Sequence, residues 1–155
     1  MNLKTINKAL VAVFISLSYV ITAQDKTTFE LNTSALFNDK TTSNYNILVY
    51  ENGKLVDSLF IKKVKPTKIT LEGDKYYSIV FKKDNLEPKL VIVDTYVPKG
   101  IGELIDEPFD LQIELSPDIK KIKEEFDDYP VAILMVNKKK KLLMASENYY
   151  QLTHK

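Results

Sequence analysis

The chain has 155 residues, of which 45% are hydrophobic and 28% are charged, and its formal net charge is +1. It contains no cysteine, which excludes disulfide bonds, zinc–thiolate sites, a cysteine nucleophile and lipid attachment at a bacterial signal cleavage site. All 22 basic residues are lysine and 21 residues are acidic, so neither a basic excess nor arginine clamps support nucleic-acid binding.

The first 23 residues have the parts of a secretory signal peptide in the required order. Two lysines give a positive start, and the apolar run at 9–23 is shorter than the roughly 20 residues of a membrane-spanning helix. Cleavage is predicted after Ala23, leaving Gln24 as the new N-terminus; an uncleaved membrane anchor is the alternative. The protein is therefore expected in the periplasm, at the outer membrane or outside the cell, with no transmembrane segment after signal removal.

Strand patterns dominate residues 24–155, which are expected to form a single domain. Asn52-Gly53 lies between two apolar runs and is the strongest short-range signal of a β-hairpin, because both turn positions need positive φ. Apolar residues alternate most clearly in 109–115, whereas 89–95 contains the continuous apolar stretch LVIV and predicts a strand buried on both sides. In chain order, the predicted strands cover residues 28–37, 45–51, 54–62, 66–72, 75–83, 89–95, 109–115, 131–136 and 141–146.

One short helix is predicted near residues 117–126. Ser116 is suited to cap it, Pro117 suits its first position, and Pro130 stops its continuation. About seven or eight core strands joined by short turns, together with this helix, are typical of a β-sandwich. The predicted fold class is therefore mainly β, a transthyretin-like or Ig-like sandwich.

Several segments occur in a familiar order: the hairpin around Asn52-Gly53, an alternating strand after Pro108, and the YPVA step at 129–132. Between the first two of these lie further matching positions: Tyr77, Phe81, Lys82, Lys83, Asp94, Thr95 and Pro98. This order resembles exported Bacteroidota proteins that carry a carboxypeptidase-regulatory-like, transthyretin-like β-sandwich. The resemblance implies a binding or assembly module of the cell envelope, and it brings no catalytic residues.

The sequence departs from that family at one turn. Such modules often have an Asp-x-x-Gly turn between their second and third strands, but here residues 60–69 read FIKKVKPTKI, without glycine. The geometry of this turn and the register of the neighbouring strands therefore stay open.

No residue pattern predicts a catalytic or metal site. The single histidine, His154, is one residue from the end of the chain, where a general base is poorly held in place. Four carboxylates between residues 103 and 110 lack the spacing of a Ca²⁺ loop, so a solvated loop is the favoured interpretation. The run KGIG at 99–102 lacks the spacing of a phosphate-binding loop and is interpreted as a strand connection.

The candidate binding residues are lysines and tyrosines near the C-terminus. Lys138, Lys139 and Lys140 lie at the tip of the last predicted hairpin, where they could contact an anionic surface or keep a strand edge solvated. Tyr149 and Tyr150 could stack on sugar rings, or pack on the rim of the core with their hydroxyls in water.

Two functions stay open at this point. The first is a non-enzymatic exported cell-envelope or secreted module that binds an envelope or surface protein through loops or a sheet edge. The alternative is a module that binds carbohydrate or a surface polymer. Neither needs a cofactor, and the residue inventory disfavours a hydrolase or a metal enzyme.

Overall fold

The computed structural model describes residues 27–117 and 130–146, and these form ten β-strands in two sheets. The strands are β1 (Thr28–Phe37), β2 (Lys40–Thr41), β3 (Tyr45–Glu51), β4 (Lys54–Ile61), β5 (Thr67–Glu72), β6 (Tyr76–Lys82), β7 (Lys89–Asp94), β8 (Phe109–Glu114), β9 (Ala132–Asn137) and β10 (Leu142–Ala145). The predicted mainly β sandwich is confirmed.

The two sheets differ in size and in the strands at their edges. In sheet I, the central strand β1 pairs antiparallel with β5 and parallel with β8, and the short β2 folds back along its end. Sheet II has the order β10-β9-β7-β6-β3-β4, in which only the β7–β9 pair is parallel. β4 and β10 are therefore the two edges of sheet II.

One hydrophobic core joins the inner faces of the two sheets. Its members from sheet I include Leu31 and Leu71, and those from sheet II include Ile79 and Phe81. Phe81 is fully buried and stacks on Tyr45, with ring centroids 6.5 Å apart. Fully burying an aliphatic or aromatic side chain contributes about 1.5–3 kcal/mol, so this alternating inner face is the main source of stability.

The hairpin predicted at Asn52-Gly53 connects β3 and β4. Both residues have positive φ, 48° and 80°, as a two-residue turn of this type requires. The pairing shifts by one residue between Val49 and Tyr50, which leaves Val56 as the extra residue of a β-bulge in β4.

The glycine-free turn at 62–66 keeps a regular backbone. None of its residues has positive φ, and the Lys65 N–H donates to the Lys63 carbonyl at 3.0 Å. Glycine is not needed there, because glycine is required only where the backbone enters the left-handed region. β5 pairs with β1 without a register shift.

The helix predicted near residues 117–126 is not borne out. Pro117 forms an isolated β-bridge with Leu86, and residues 27–117 and 130–146 contain no helix, hence no helical segment able to cross a bilayer. The expected cap is used elsewhere, because the Ser116 hydroxyl donates to the Glu87 carboxylate and the Ser116 carbonyl accepts the Glu87 N–H. Residues 118–126 lie outside the described residues, as does the predicted signal peptide at 1–23.

The described residues form ten strands, one more than the nine predicted segments and more than the seven or eight expected core strands. The two-residue β2 follows a turn in which Asn38 and Asp39 both have positive φ, 52° and 59°. A strand of two residues has no periodicity to detect, so its sequence gives no strand signal.

Candidate functional site

Only some of the sequence-predicted site residues lie in the described part of the chain. Tyr149, Tyr150 and His154 lie outside it, as do Ala23 and Gln24 at the predicted cleavage site. The carbohydrate hypothesis depends on Tyr149 and Tyr150 and therefore stays a prediction.

The three candidate lysines lie on an exposed turn between β9 and β10. The Asn137 side-chain oxygen accepts the N–H groups of Lys139 and Lys140, each at 3.0 Å, which holds the turn in shape. Lys138 and Lys141 complete the turn, and all four lysines are exposed with no apolar residue among them. This tip is polar throughout, as a solvated hairpin end would be.

The loop from 99 to 110 acts as a strand connection. Ile101 is only 6% exposed and belongs to the core, so it fixes the KGIG segment against the sandwich. Asp110 accepts a hydrogen bond from the Asn32 side chain at 3.0 Å, away from the other loop carboxylates. In residues 27–117 and 130–146, no three histidine, aspartate or glutamate side chains come together as a metal site would require.

Thr95 and Tyr77 form a buried polar network at one end of the sandwich. Both are among the positions on which the family resemblance rests. The Thr95 hydroxyl accepts the Lys75 N–H at 3.0 Å and lies 2.8 Å from the Glu72 carbonyl and 2.9 Å from the Lys75 carbonyl, to which it can donate. The Tyr77 phenol oxygen accepts the Glu72 N–H at 3.1 Å, and burial raises the pKa of Tyr77. These groups join β5, β6 and the end of β7, so their role is structural.

An ion-pair cluster lies beside this network. The Lys75 ammonium is 2.7 Å from the carboxylates of both Glu51 and Glu72. Hydrogen bonds to these two carboxylates raise the pKa of Lys75 well above its usual value. The single ammonium lies between two carboxylates, so the cluster keeps a net charge of −1 while each of its charges has a partner.

The free edge of β4 is a different kind of surface. One side of this eight-residue strand pairs with β3, and no described strand pairs with the other side. Leu55, Val56 and Phe60 are 49%, 50% and 53% exposed. A long edge strand with exposed apolar side chains is a template for pairing with another chain, and proteins usually protect such edges.

The apolar character of β4 continues across the outer face of sheet II. Leu55 and Phe60 are in register with Tyr50 and Asn46 of β3, whose side chains alternate with the core residue Ile47. The same outer face includes half-buried apolar residues of successive strands: Leu48, Val80, Leu90 and Ile133. These residues are only partly exposed, and Ile92 on the same face is 8% exposed, so on β3 and β4 the well exposed apolar side chains are those of β4.

The other sheet edges have the expected protection. On β5 the exposed side chains include Lys68 and Thr70, and on β8 they are Asp110, Gln112 and Glu114. β10 has only four residues, and short edge strands are themselves a form of protection. Among the strands that the structure describes, β4 is thus the edge that combines length with exposed apolar residues.

A second surface, which sequence reasoning missed, follows β4 directly. We call Lys62, Lys63, Val64 and Lys65 the basic tip; all four are exposed, and Val64 is 60% exposed. The tip and Phe60 border an open groove that continues to Thr67 and Lys68. The signal in the sequence is four lysines with no acidic residue in 58–71.

Comparison with protein-family models gives no match, and comparison with curated proteins gives no significant match.

Proposed function

We propose that the protein is a non-enzymatic exported module that binds a partner protein along the free edge of β4. The observation that carries the proposal is that edge itself, eight residues long, with three apolar side chains about half exposed. An extended partner segment lying beside β4 would pair with its unpaired backbone groups. Its apolar side chains would pack on Leu55 and Phe60, as in other cases of strand addition.

The cellular part of this proposal is supported by the sequence. A positive start, a short apolar run and the small residue Ala23 are the features that direct export. The resemblance to exported Bacteroidota carboxypeptidase-regulatory-like modules supports a sandwich that acts by contact rather than by catalysis. An envelope or surface protein is therefore the proposed partner.

The proposal is tested by capturing the partner from the envelope of the source cells on the immobilised full chain. The double variant Leu55→Glu, Val56→Glu places two charges on the apolar edge, where an apolar partner would desolvate them. We expect capture at least about tenfold weaker than for the unmodified protein, because each such charge costs more than 1 kcal/mol on binding.

The matched control is Thr70→Glu, Gln112→Glu, which adds the same two charges at exposed positions on the edges of sheet I. Circular dichroism must first show that both double variants are folded. Equal capture by the two double variants would exclude the β4 edge as the binding surface.

The carbohydrate alternative gives a distinct result on the same column. Glycans, rather than a protein, would then be retained. The substitutions Tyr149→Ala and Tyr150→Ala would weaken that retention. The β4 variants would leave that retention unchanged.

A further inference from the structure

We infer that the basic tip docks on the phosphate head groups of an anionic lipid bilayer. This surface lies at the end of β4 and is separate from the edge proposed to bind protein. Lysines supply attraction to the anionic surface, and exposed apolar residues supply insertion into the head-group region.

The lysines of the tip are free to contact an external anion. Lys68 forms an ion pair with Glu30 at 2.5 Å, but Lys62, Lys63 and Lys65 have no acidic partner among the described residues. Nearby segments add no compensating charge, since residues 58–71 contain no aspartate or glutamate. Three unpaired ammonium groups thus lie within four residues.

The segments that pack beside the basic tip also carry neutral or basic side chains. The Ile61 carbonyl accepts the N–H of Asn44, so the neutral segment Thr42-Ser43-Asn44 lies alongside. The Lys83 ammonium donates to the Thr42 hydroxyl at 3.0 Å, which adds positive charge to the same end of the sandwich. Segments 42–44 and 58–71 therefore present no carboxylate to an approaching anionic surface, and Asp84 next to Lys83 is the carboxylate nearest to this positive charge in sequence.

Apolar side chains are interleaved with the lysines. Val64 lies between Lys63 and Lys65 and is 60% exposed, and Phe60 is 53% exposed. The Lys62 ammonium is 5.9 Å from the centre of the Phe60 ring, close enough for a cation–π contact that keeps charge and ring together. Lysines around an exposed valine and phenylalanine favour a bilayer over a soluble polyanion, because only the bilayer offers an apolar layer beneath its charges.

The turn at Lys138–Lys141 provides an internal comparison. It has four exposed lysines but no exposed apolar residue among them. It joins β9 to β10 at the end of sheet II opposite to the basic tip. The Ile105 N–H donates to the Lys141 carbonyl at 2.7 Å, which places the loop containing Glu103, Asp106 and Glu107 beside this turn. These lysines therefore have carboxylates nearby, whereas segments 42–44 and 58–71 at the basic tip contain none.

The test is co-sedimentation of the full chain with vesicles of equal parts phosphatidylglycerol and phosphatidylcholine. The triple variant K62Q/K63Q/K65Q is compared with K138Q/K139Q/K140Q, which removes the same charge at the other end. A lysine near an anionic bilayer contributes about fivefold in affinity, so the first variant should bind roughly 100-fold more weakly. The second should lose no more than about twofold, through the change in net charge.

Four results would overturn the inference. Equal losses in the two triple variants would indicate diffuse electrostatic attraction, and equal binding to pure phosphatidylcholine vesicles would exclude recognition of anionic head groups. Unchanged binding by Val64→Ser at high salt, where charge is screened, would exclude apolar insertion. Displacement by soluble glycerol phosphate would identify a site for a free phosphate instead of a membrane-docking surface.

Discussion

Replacing Thr95 by valine should destabilise the fold strongly although the side chain keeps its shape. The threonine is 0% exposed, and its hydroxyl accepts the Lys75 N–H and can donate to the carbonyl of Glu72 or Lys75. The variant loses one donated bond, worth about 1 kcal/mol, and leaves an N–H without its partner, which costs about 1–3 kcal/mol. The free energy of unfolding should therefore fall by about 2–4 kcal/mol, measured by urea denaturation.

The matched comparison is Thr33→Val, in the middle of β1. Thr33 is also 0% exposed, but its hydroxyl makes one described hydrogen bond, to the Thr67 carbonyl at 2.9 Å. Its loss should cost only about 1 kcal/mol. Equal destabilisation by the two variants would refute the view that the Thr95 hydroxyl holds the β5–β6 turn to the end of β7.

Two further predictions concern an ion pair and a turn. The hydrogen bond from Lys89 lowers the pKa of Glu87 below its usual 4.5, so this pair stabilises the fold above pH 4.5 and loses its effect as pH falls further. Glu87→Gln should therefore lower the urea midpoint more at pH 7 than at pH 3, and an equal loss at both would contradict this assignment. Gly53→Ala should cost about 1 kcal/mol, because φ is +80° while a Cβ would meet no atom within 4 Å. Gly53→Asn should cost less in the same urea assay, since asparagine tolerates this conformation; equal costs would point to a steric cause.

Much of the fold could be predicted from local pattern. Alternation with period two locates β8 and the inner face of β6, because one face of each strand packs into the core. Asn52-Gly53 identifies its hairpin for an equally local reason. The second turn of this type, Asn38-Asp39, lacks glycine and was not predicted, although both residue types tolerate positive φ.

The predicted start of the helix near 117–126 is engaged in tertiary contacts. Ser116 and Pro117 are a good start for a helix, but Ser116 bonds to Glu87 and Pro117 bridges to Leu86. These contacts attach the end of β8 to the segment before β7, which is distant in sequence. Cap residues describe a preference of the isolated chain, and a long-range pairing can satisfy the same polar groups.

The two candidate surfaces could not be predicted from the sequence for a related reason. An apolar run such as KLVDSLFI predicts a strand, but only the order of strands in sheet II reveals that it is an edge. At the centre of the sheet, the same run would have a hydrogen-bonded neighbouring strand on each side. Which strand lies at an edge is therefore a property of topology, and composition cannot supply it.

The two proposed surfaces lie along one strand in a way that makes them compatible. β4 runs from Leu55 at the hairpin end to the basic tip, a distance of about 20 Å at 3.3 Å per residue. A bilayer holding Lys62 and Val64 would contact the end of the sandwich and leave the edge at Leu55 and Val56 accessible to a partner. Phe60 lies between the two surfaces, so substitutions at Leu55 or Val64 separate the two activities, whereas substitutions at Phe60 cannot.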